Sequence, residues 1–530
     1  MNLPLDRTMI SPRGGALTSA VALALCASLS IAQDRWESFA GSPDHSLIAP
    51  ASPASIAAPA WTRSTDNGGL TITFVGQSAP VVYDQTVLAI GSVRPAATAN
   101  FFLYAMDRAS GSILWASPIP SPSLDSWSTP AIDFKRRRAL VATGTKLTCL
   151  DLGTGAQLWQ ATLARSVVNA SPMVTADLPL GDRVFITDYD GSTSGGKLYN
   201  INASPRSASN PFDPGQIVWA VPLSGSSGNT PAYFNRRVYV TTAGNFFSAT
   251  PGEVRAYAAD AITAPAPIWS VADPSGNGFF GGVSILPTAA GPFAFAATYE
   301  FFAGAEEPYS AALLKINATT GAVVWSAPCP RTSTTPVPLP DGRVVLSAGI
   351  NGYGSVPSLL LYRDLGSSAS LLWDSARASW IDINGNQELD AGEFTSAGGW
   401  TNQPAIARAS DGSLRLYAGT IPSASTAYAA CTTIRAFNLS APGIPAALAT
   451  YPAGGSSPAI AGEHLYTISA AGLLAFGPTP PRADVNADGL VDINDLYAWE
   501  QGTGARDVNR DGTINDADRQ PLIKELRRGE

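Results

Sequence analysis

Near the C-terminus, oxygen-bearing side chains recur at a spacing that can wrap a hard cation. The segment Asp484-Val-Asn-Ala-Asp-Gly-Leu-Val-Asp-Ile-Asn-Asp495 places Asp484, Asn486, Asp488, Asp492 and Asp495 at loop positions 1, 3, 5, 9 and 12. Asp507, Asn509, Asp511, Asn515 and Asp518 repeat the pattern in the next stretch. Gly489 and Gly512 stand at position 6, where the chain must bend sharply, and Leu490 and Thr513 offer their carbonyls at position 7. Ca²⁺ takes six to eight oxygen ligands, and this spacing folds them around one centre. A third loop runs from Asp382 to Glu393, with Asp382, Asn384, Asn386, Asp390 and Glu393 at the same positions and Glu388 at position 7. Its Glu at position 12 permits bidentate ligation, but Gln387 stands where Gly is preferred. The expectation is two calcium ions in the C-terminal segment and a third in the upstream loop.

Other chemistry is hard to find. Beyond the leader region there are only two histidines, His45 and His464, far apart in sequence, and His464 in Gly462-Glu-His464 reads as a solvated turn residue. No nucleophile elbow, P-loop, dinucleotide fingerprint or HExxH motif occurs. Carboxylate pairs for glycoside hydrolysis are set by space rather than by sequence, and Glu306-Glu307 reads as a surface loop. No catalytic residue is therefore assigned. A net charge of −8 argues against a nucleic-acid partner. The one basic run, Lys135-Arg136-Arg137-Arg138, reads as a solvated hairpin turn, as does Asn235-Arg236-Arg237.

The elements that must position these loops come from an internal repeat. Three copies are clear: Tyr104-Ala-Met-Asp-Arg-Ala-Ser-Gly-Ser-Ile-Leu-Trp115, Thr148-Cys-Leu-Asp-Leu-Gly-Thr-Gly-Ala-Gln-Leu-Trp159 and Leu314-Lys-Ile-Asn-Ala-Thr-Thr-Gly-Ala-Val-Val-Trp325. Each reads as a strand, a tight turn in which Asp or Asn bonds its own backbone and Gly turns left-handed, then a strand carrying Trp. Upstream of the repeats lies a small residue, Pro and an apolar pair, as in Thr129-Pro-Ala-Ile132 and Ser457-Pro-Ala-Ile460, which marks strand entry. A further β run follows each, making four strands per unit. The phased tryptophans Trp61, Trp115, Trp159, Trp219, Trp269, Trp325 and Trp373 lie on average 52 residues apart, and Tyr451 takes the next place after a surplus of 26. That surplus is the insertion carrying the third loop, flanked by Trp380 and Trp400. Trp61 lacks an upstream Pro signature and the last unit, 457–476, lacks a Trp strand. Joined, they make one blade, which closes a ring of eight and removes free sheet edges. The fold class is all-β, an eight-bladed β-propeller of four-stranded blades, plus a small α-helical calcium-loop module.

The unit resembles the pyrroloquinoline-quinone (PQQ) repeat of quinoprotein dehydrogenases and of the outer-membrane assembly propeller, over residues 55–478. Its Gly and Trp serve blade packing, so the resemblance implies a fold more than a cofactor. A dehydrogenase of that family would use calcium beside PQQ and typically an adjacent cysteine pair. No Cys-Cys occurs here, and PQQ is not expected. The paired C-terminal loops, joined through Gly477-Pro-Thr-Pro-Pro481, resemble a type I dockerin, which implies docking onto a cohesin-bearing partner. Helices would follow the loops at 493–501 and 516–527. The loops start only 23 residues apart, shorter than that family's usual spacing, and positions 10 and 11 differ between the halves.

The N-terminus reads as an export signal over residues 1–32. Arg7 and Arg13 precede a short apolar run, and Ser30-Ile31-Ala32 sets cleavage before Gln33. The run is too short to span a bilayer comfortably. The division expected is a propeller at 33–478 with an insertion at 378–400, a Pro-rich linker at 479–483 and the dockerin-like module at 484–530. Of the remaining cysteines, Cys149, Cys329 and Cys431, a Cys329–Cys431 bridge is open but isolated apolar thiols are favoured. These readings point to a secreted calcium-binding binding or scaffold protein, at the cell surface, outside the cell or in the periplasm. Its partners would be a cohesin-bearing or cell-surface protein, or a polysaccharide. An extracellular carbohydrate-active enzyme and a PQQ-dependent dehydrogenase are the alternatives.

Overall fold

A computed structural model describes residues 35–527 apart from 76–77, 94–99, 124–125, 127, 192, 194, 227, 246–247, 249, 301–307, 353, 425–430, 441–443, 479–482, 484, 487–490, 505 and 509–512. The expected leader and Glu306-Glu307 lie outside the described residues. Eight antiparallel sheets follow one another along the chain. The second blade is typical: Ala131–Asp133, Arg138–Thr143, Lys146–Asp151 and Gln157–Thr162 form a meander, each strand paired to the next. Its first three strands are largely buried, whereas Gln157–Thr162 alternates in exposure, as the outer strand of a blade must.

The chain closes on itself as the repeat phase requires. Trp61–Arg63 pairs antiparallel with Gly472–Phe476, Trp61 opposite Ala475 and Arg63 opposite Leu473. This eighth sheet is completed by His464–Ser469 and Ala459–Ala461. Its outer strand thus comes from the start of the chain and the other three from the end.

The phased aromatics join neighbouring blades. Trp61 Nε1 donates to the Arg108 carbonyl at 3.0 Å, Trp115 Nε1 to that of Leu152 at 2.9 Å, and Trp219 Nε1 to that of Ala261 at 2.9 Å. Trp269 Nε1 donates to the Ala318 carbonyl at 3.1 Å and Trp325 Nε1 to Asp364 Oδ1 at 2.9 Å. Trp373 meets Phe437 edge-on at 5.5 Å, and Tyr451 meets Phe476 at 5.0 Å. Trp159 lies against Gly215. The turn glycine therefore has two jobs. At Gly155 φ is +71°, and a Cβ there would sit 2.6 Å from the Trp115 ring of the preceding blade. Gly111 stands in the same relation to Trp61, and Gly321 to Trp269.

No repeat or motif marks the segment that precedes the first blade. Residues 35–49, upstream of the first repeat, run along the inner edges of the blades. Arg35–Trp36 pairs antiparallel with Val82 and Tyr83 in the innermost strand of the first blade. The Glu37 carbonyl accepts from Ile132 N at 2.8 Å, that of Pro43 from Tyr233 N at 2.7 Å, and that of Asp44 from Ile285 N at 2.8 Å. Ile48–Ala49 then pairs parallel with Ile406 and Ala407. These partners belong to the first strands of the first, second, fourth, fifth and seventh blades. An innermost strand has no further neighbour on its axial side, and unpaired buried backbone groups are costly. The segment pairs several of those groups and buries Trp36, Glu37, Phe39 and His45.

Candidate metal centre

The insertion begins where the sixth blade ends. Asp374 closes the strand Ala369–Asp374 and caps the short helix Ser375–Ala378, accepting from Ala376 N and Arg377 N. The loop that follows is tied at both ends, because Ile381 N donates to the Glu393 carbonyl at 2.8 Å. Asp382 Oδ1 accepts from Gly385 N at 2.7 Å and Oδ2 from Gln387 N at 3.1 Å. Asn384 Oδ1 accepts from Asn386 N, and Asn386 Oδ1 from Glu388 N. Asp390 Oδ2 receives both the Asn384 and Asn386 amides, at 2.7 and 2.8 Å. Glu393 is buried and accepts from Ile383 N through Oε1 at 2.9 Å and from Trp380 Nε1 through Oε2 at 3.2 Å. The loop thus turns Asp382, Asn384, Asn386, Asp390 and Glu393 toward its own interior.

Position 6 explains itself. Gln387 has φ +64°, the left-handed bend for which Gly is preferred at this place. Its exposed side chain lets the backbone pay only the local cost of that conformation. The Glu388 carbonyl, offered at position 7, accepts from Asp390 N at 3.1 Å. Chemically the loop supplies three carboxylates and two amide oxygens, a hard donor set suited to Ca²⁺. Among the described residues, no three or more His, Cys, Asp and Glu side chains are already gathered tightly enough to hold an ion. Backbone N–H and Asn amide donors occupy the oxygens instead.

Trp380 and Trp400 have different roles. Trp380 reaches the Glu393 carboxylate, whereas Trp400 packs on Tyr299 with ring centroids 5.4 Å apart, and its carbonyl accepts from Ser333 N.

In the C-terminal segment, Asp484, Asp488, Leu490, Asn509 and Asp511 lie outside the described residues. The placed members of the pattern build helix starts. Asp492 caps the helix Ile493–Glu500, and Asn515 caps Asp516–Leu526. Asp495 and Asp518, at position 12, are fully buried and complete capping boxes with them. Asp495 Oδ1 also accepts from Val485 N at 2.6 Å and Asn486 N at 3.1 Å, which draws the loop start onto the helix. Asp507 and Thr513, at positions 1 and 7 of the second loop, are described too. A small core of Ala483, Val485, Trp499, Val508 and Leu522 holds the two halves together.

Two expectations about other residues change, and the favoured reading of the cysteines holds. His464 is not a solvated turn residue: it opens the strand His464–Ser469, is 9% exposed, and bonds the carbonyls of Gly462 and Pro478. Gly477 and Pro478, at the end of the last strand, lie against its ring. The basic run is a hairpin turn, but Arg136 is committed to Asp133 at 3.0 Å and to Asp182 of the next blade at 2.8 Å. Arg137 alone of those two is well exposed. Cys149, Cys329 and Cys431 are all free thiols.

The axial segment brings the titratable groups that sequence reasoning missed. His45 Nδ1 lies 2.8 Å from the Val283 carbonyl, and burial lowers its pKa to about 4. Burial raises that of Glu37 to about 7, against the pull of Arg35 and with help from Asp44 and Asp133. The available signal was the presence of Trp36 and Phe39 between the expected leader and the first repeat.

A family profile described as outer membrane protein assembly factor BamB matches residues 54–211. No curated protein matches the chain. Among solved structures, a quinohemoprotein alcohol dehydrogenase from Pseudomonas putida HK5 is similar at 13% identity, with a TM-score of 0.55, covering 83% of this chain and 76% of that one. The quinohemoprotein alcohol dehydrogenase from Comamonas testosteroni is similar at 12% identity and TM-score 0.55, covering 90% and 86%. Sqt1 from Chaetomium thermophilum is similar at 12% identity and TM-score 0.52, covering 77% and 97%. At these identities the likeness is one of fold. Among the described residues no helix is long and apolar enough to cross a membrane.

Proposed function

We propose that this chain is an exported β-propeller that serves as a binding or scaffold protein, is ordered locally by calcium, and docks a partner through its C-terminal module. The observation that carries the scaffold reading is the axial segment. With residues 35–49 bonded to the inner strands of five blades, the surfaces left for other molecules are the blade loops, the insertion and the C-terminal helices. The profile match to an assembly-factor propeller supports protein partners and an envelope or extracellular site, as does the leader-like N-terminus.

Calcium is assigned to the insertion loop and to the two C-terminal loops. The interior-facing oxygens of 382–393 and the left-handed Gln387 support the first assignment. Asp495 and Asp518, buried at position 12, support the others. A PQQ-dependent dehydrogenase shares the fold, but here residues 35–49 lie against the inner strands of five blades and the sequence has no adjacent cysteine pair.

The docking half is tested by immobilising the full-length chain and passing a cohesin module over it in calcium and in chelator. Calcium-dependent binding that is lost in an Asp495→Asn, Asp518→Asn double variant supports the module's role. No binding at micromolar cohesin removes that role and leaves the partner to be sought on the propeller.

A further inference from the structure

We propose that the cleft between the insertion loop and the neighbouring blade loops is a calcium-gated carbohydrate-binding site. The cleft has a volume of about 570 Å³ and is lined by Tyr309, Asn351, Arg377, Trp380, Gln387 and Asp390 among others. That volume lies within the range of small-molecule sites. The gating rests on the reading of 382–393 as a calcium loop; the ligand class rests on the lining.

Both rings in the wall are held in place. The Tyr309 hydroxyl donates to Asp374 Oδ2, and the Trp380 indole donates to Glu393. Rings fixed before the ligand arrives cost less to order on binding. Arg377, the only cation among the described lining residues, lies 3.9 Å from Asp374 with its guanidinium 5.5 Å from the Tyr309 ring centroid. Its charge is therefore opposed within the wall, which disfavours an anionic ligand. The rest of the lining mixes neutral amides, serine hydroxyls and carboxylate acceptors with the two rings and a few apolar residues, Pro308, Pro330, Val356 and Leu389. A sugar matches this mixture, because it presents hydroxyls that both donate and accept and an apolar C–H face.

The coupling to calcium is geometric. Gln387, Glu388, Leu389 and Asp390 form one wall and are also positions 6 to 9 of the loop. Trp380 lines the cleft while its N–H rests on Glu393, the position-12 carboxylate. An ion held through Glu393 would fix that carboxylate, and with it the Trp380 ring and the 387–390 wall.

The test uses the full-length chain and the hexasaccharides of β-1,4-linked glucose, xylose and mannose, titrated by calorimetry in calcium and in chelator, beside a proline-rich decapeptide. Calcium occupancy of the loop is followed separately, as the change in tryptophan fluorescence that Glu393→Gln abolishes. The expected result is that at least one saccharide binds in calcium and binds about tenfold or more weakly in chelator, a change worth one decade of affinity. Asn351→Ala, on the wall opposite the loop, should weaken it about threefold to tenfold, the loss of one hydrogen bond, while leaving the fluorescence response intact. Calcium uptake with no saccharide bound at millimolar concentration overturns the proposal, as does preference for the peptide. Saccharide binding that ignores both chelator and Asn351→Ala overturns it equally. Absence of the fluorescence change removes the calcium loop itself, and with it the gate.

Discussion

His45 Nδ1 stands 2.8 Å from the backbone carbonyl of Val283, two residues separated by 238 positions in the sequence. A carbonyl only accepts, so Nδ1 must carry the proton, and the buried ring is held as the neutral tautomer. This contact pins the axial segment to the first strand of the fifth blade.

The axial segment should give the protein two opposed pH dependences. Burial holds His45 at about 4 against 6.5 in an unfolded chain, so the unfolded state takes up the proton first and stability falls as pH drops from 6.5 to 4. Burial holds Glu37 at about 7 against 4.5, so the folded state keeps a proton that the unfolded state loses, and stability falls as pH rises from 4.5 to 7. Between 4.5 and 6.5 the two slopes offset. His45→Gln should leave a decline toward pH 7, and Glu37→Gln should leave a rise from pH 4 to 6.5, each at most about 1.4 kcal/mol per pH unit. Urea unfolding of both variants across pH 4–7 checks this. Parallel profiles for the two would count against it.

The junction between blades should be sensitive to a single methyl group. Gly155→Ala adds a Cβ 2.6 Å from the Trp115 ring at φ +71°, whereas Gly276→Ala, at φ +78°, meets nothing within 4 Å. Both incur the left-handed cost of roughly 1–2 kcal/mol. Gly155→Ala should cost about 1–3 kcal/mol more, as overpacking does. Denaturant midpoints of the two variants provide the comparison.

How much of this was legible depends on range. The ring was readable because its signals are local: an Asp or Asn, a Gly and a Trp within a dozen residues, repeated in phase. Even the shared eighth blade followed, since Trp61 lacked inner strands and 457–476 lacked an outer one. The axial segment was not readable, because Glu37 meets Ile132 and Pro43 meets Tyr233, and no pattern around either residue encodes the partner. The cleft has the same cause, assembled from Tyr309, Asn351 and Trp380 on separate connections. At the C-terminal loops the sequence indicated ligands but not their second duty. Asp492 and Asp495, spaced N-cap to N3, also start a helix.

The three thiols should be chemically quiet. Burial pushes Cys149 and Cys431 up to about 12 and raises Cys329 as well. A thiol reagent at pH 8 should therefore label buried Cys149 and Cys329 slowly, and part-exposed Cys431 slowly too because little of its thiol is ionised, with all three labelled on denaturation. Rapid labelling of one site in the native state would contradict this.

Chelation should unravel the C-terminal module and spare the ring. The helices Ile493–Glu500 and Asp516–Leu526 rest on a small core and on carboxylates that repel one another without an ion. Excess chelator should lower helical circular dichroism and expose Trp499, with the main thermal transition retained. Unchanged helicity would argue that the capping boxes alone sustain the module.

The most direct test of the calcium account is calorimetric titration of the full-length chain with Ca²⁺, beside its Glu393→Gln, Asp495→Asn and Asp518→Asn variants. The account predicts about three ions per chain, one for each twelve-residue loop, and the loss of one with each substitution. A wild-type chain that takes up no calcium, or a stoichiometry that none of the three substitutions changes, would contradict it.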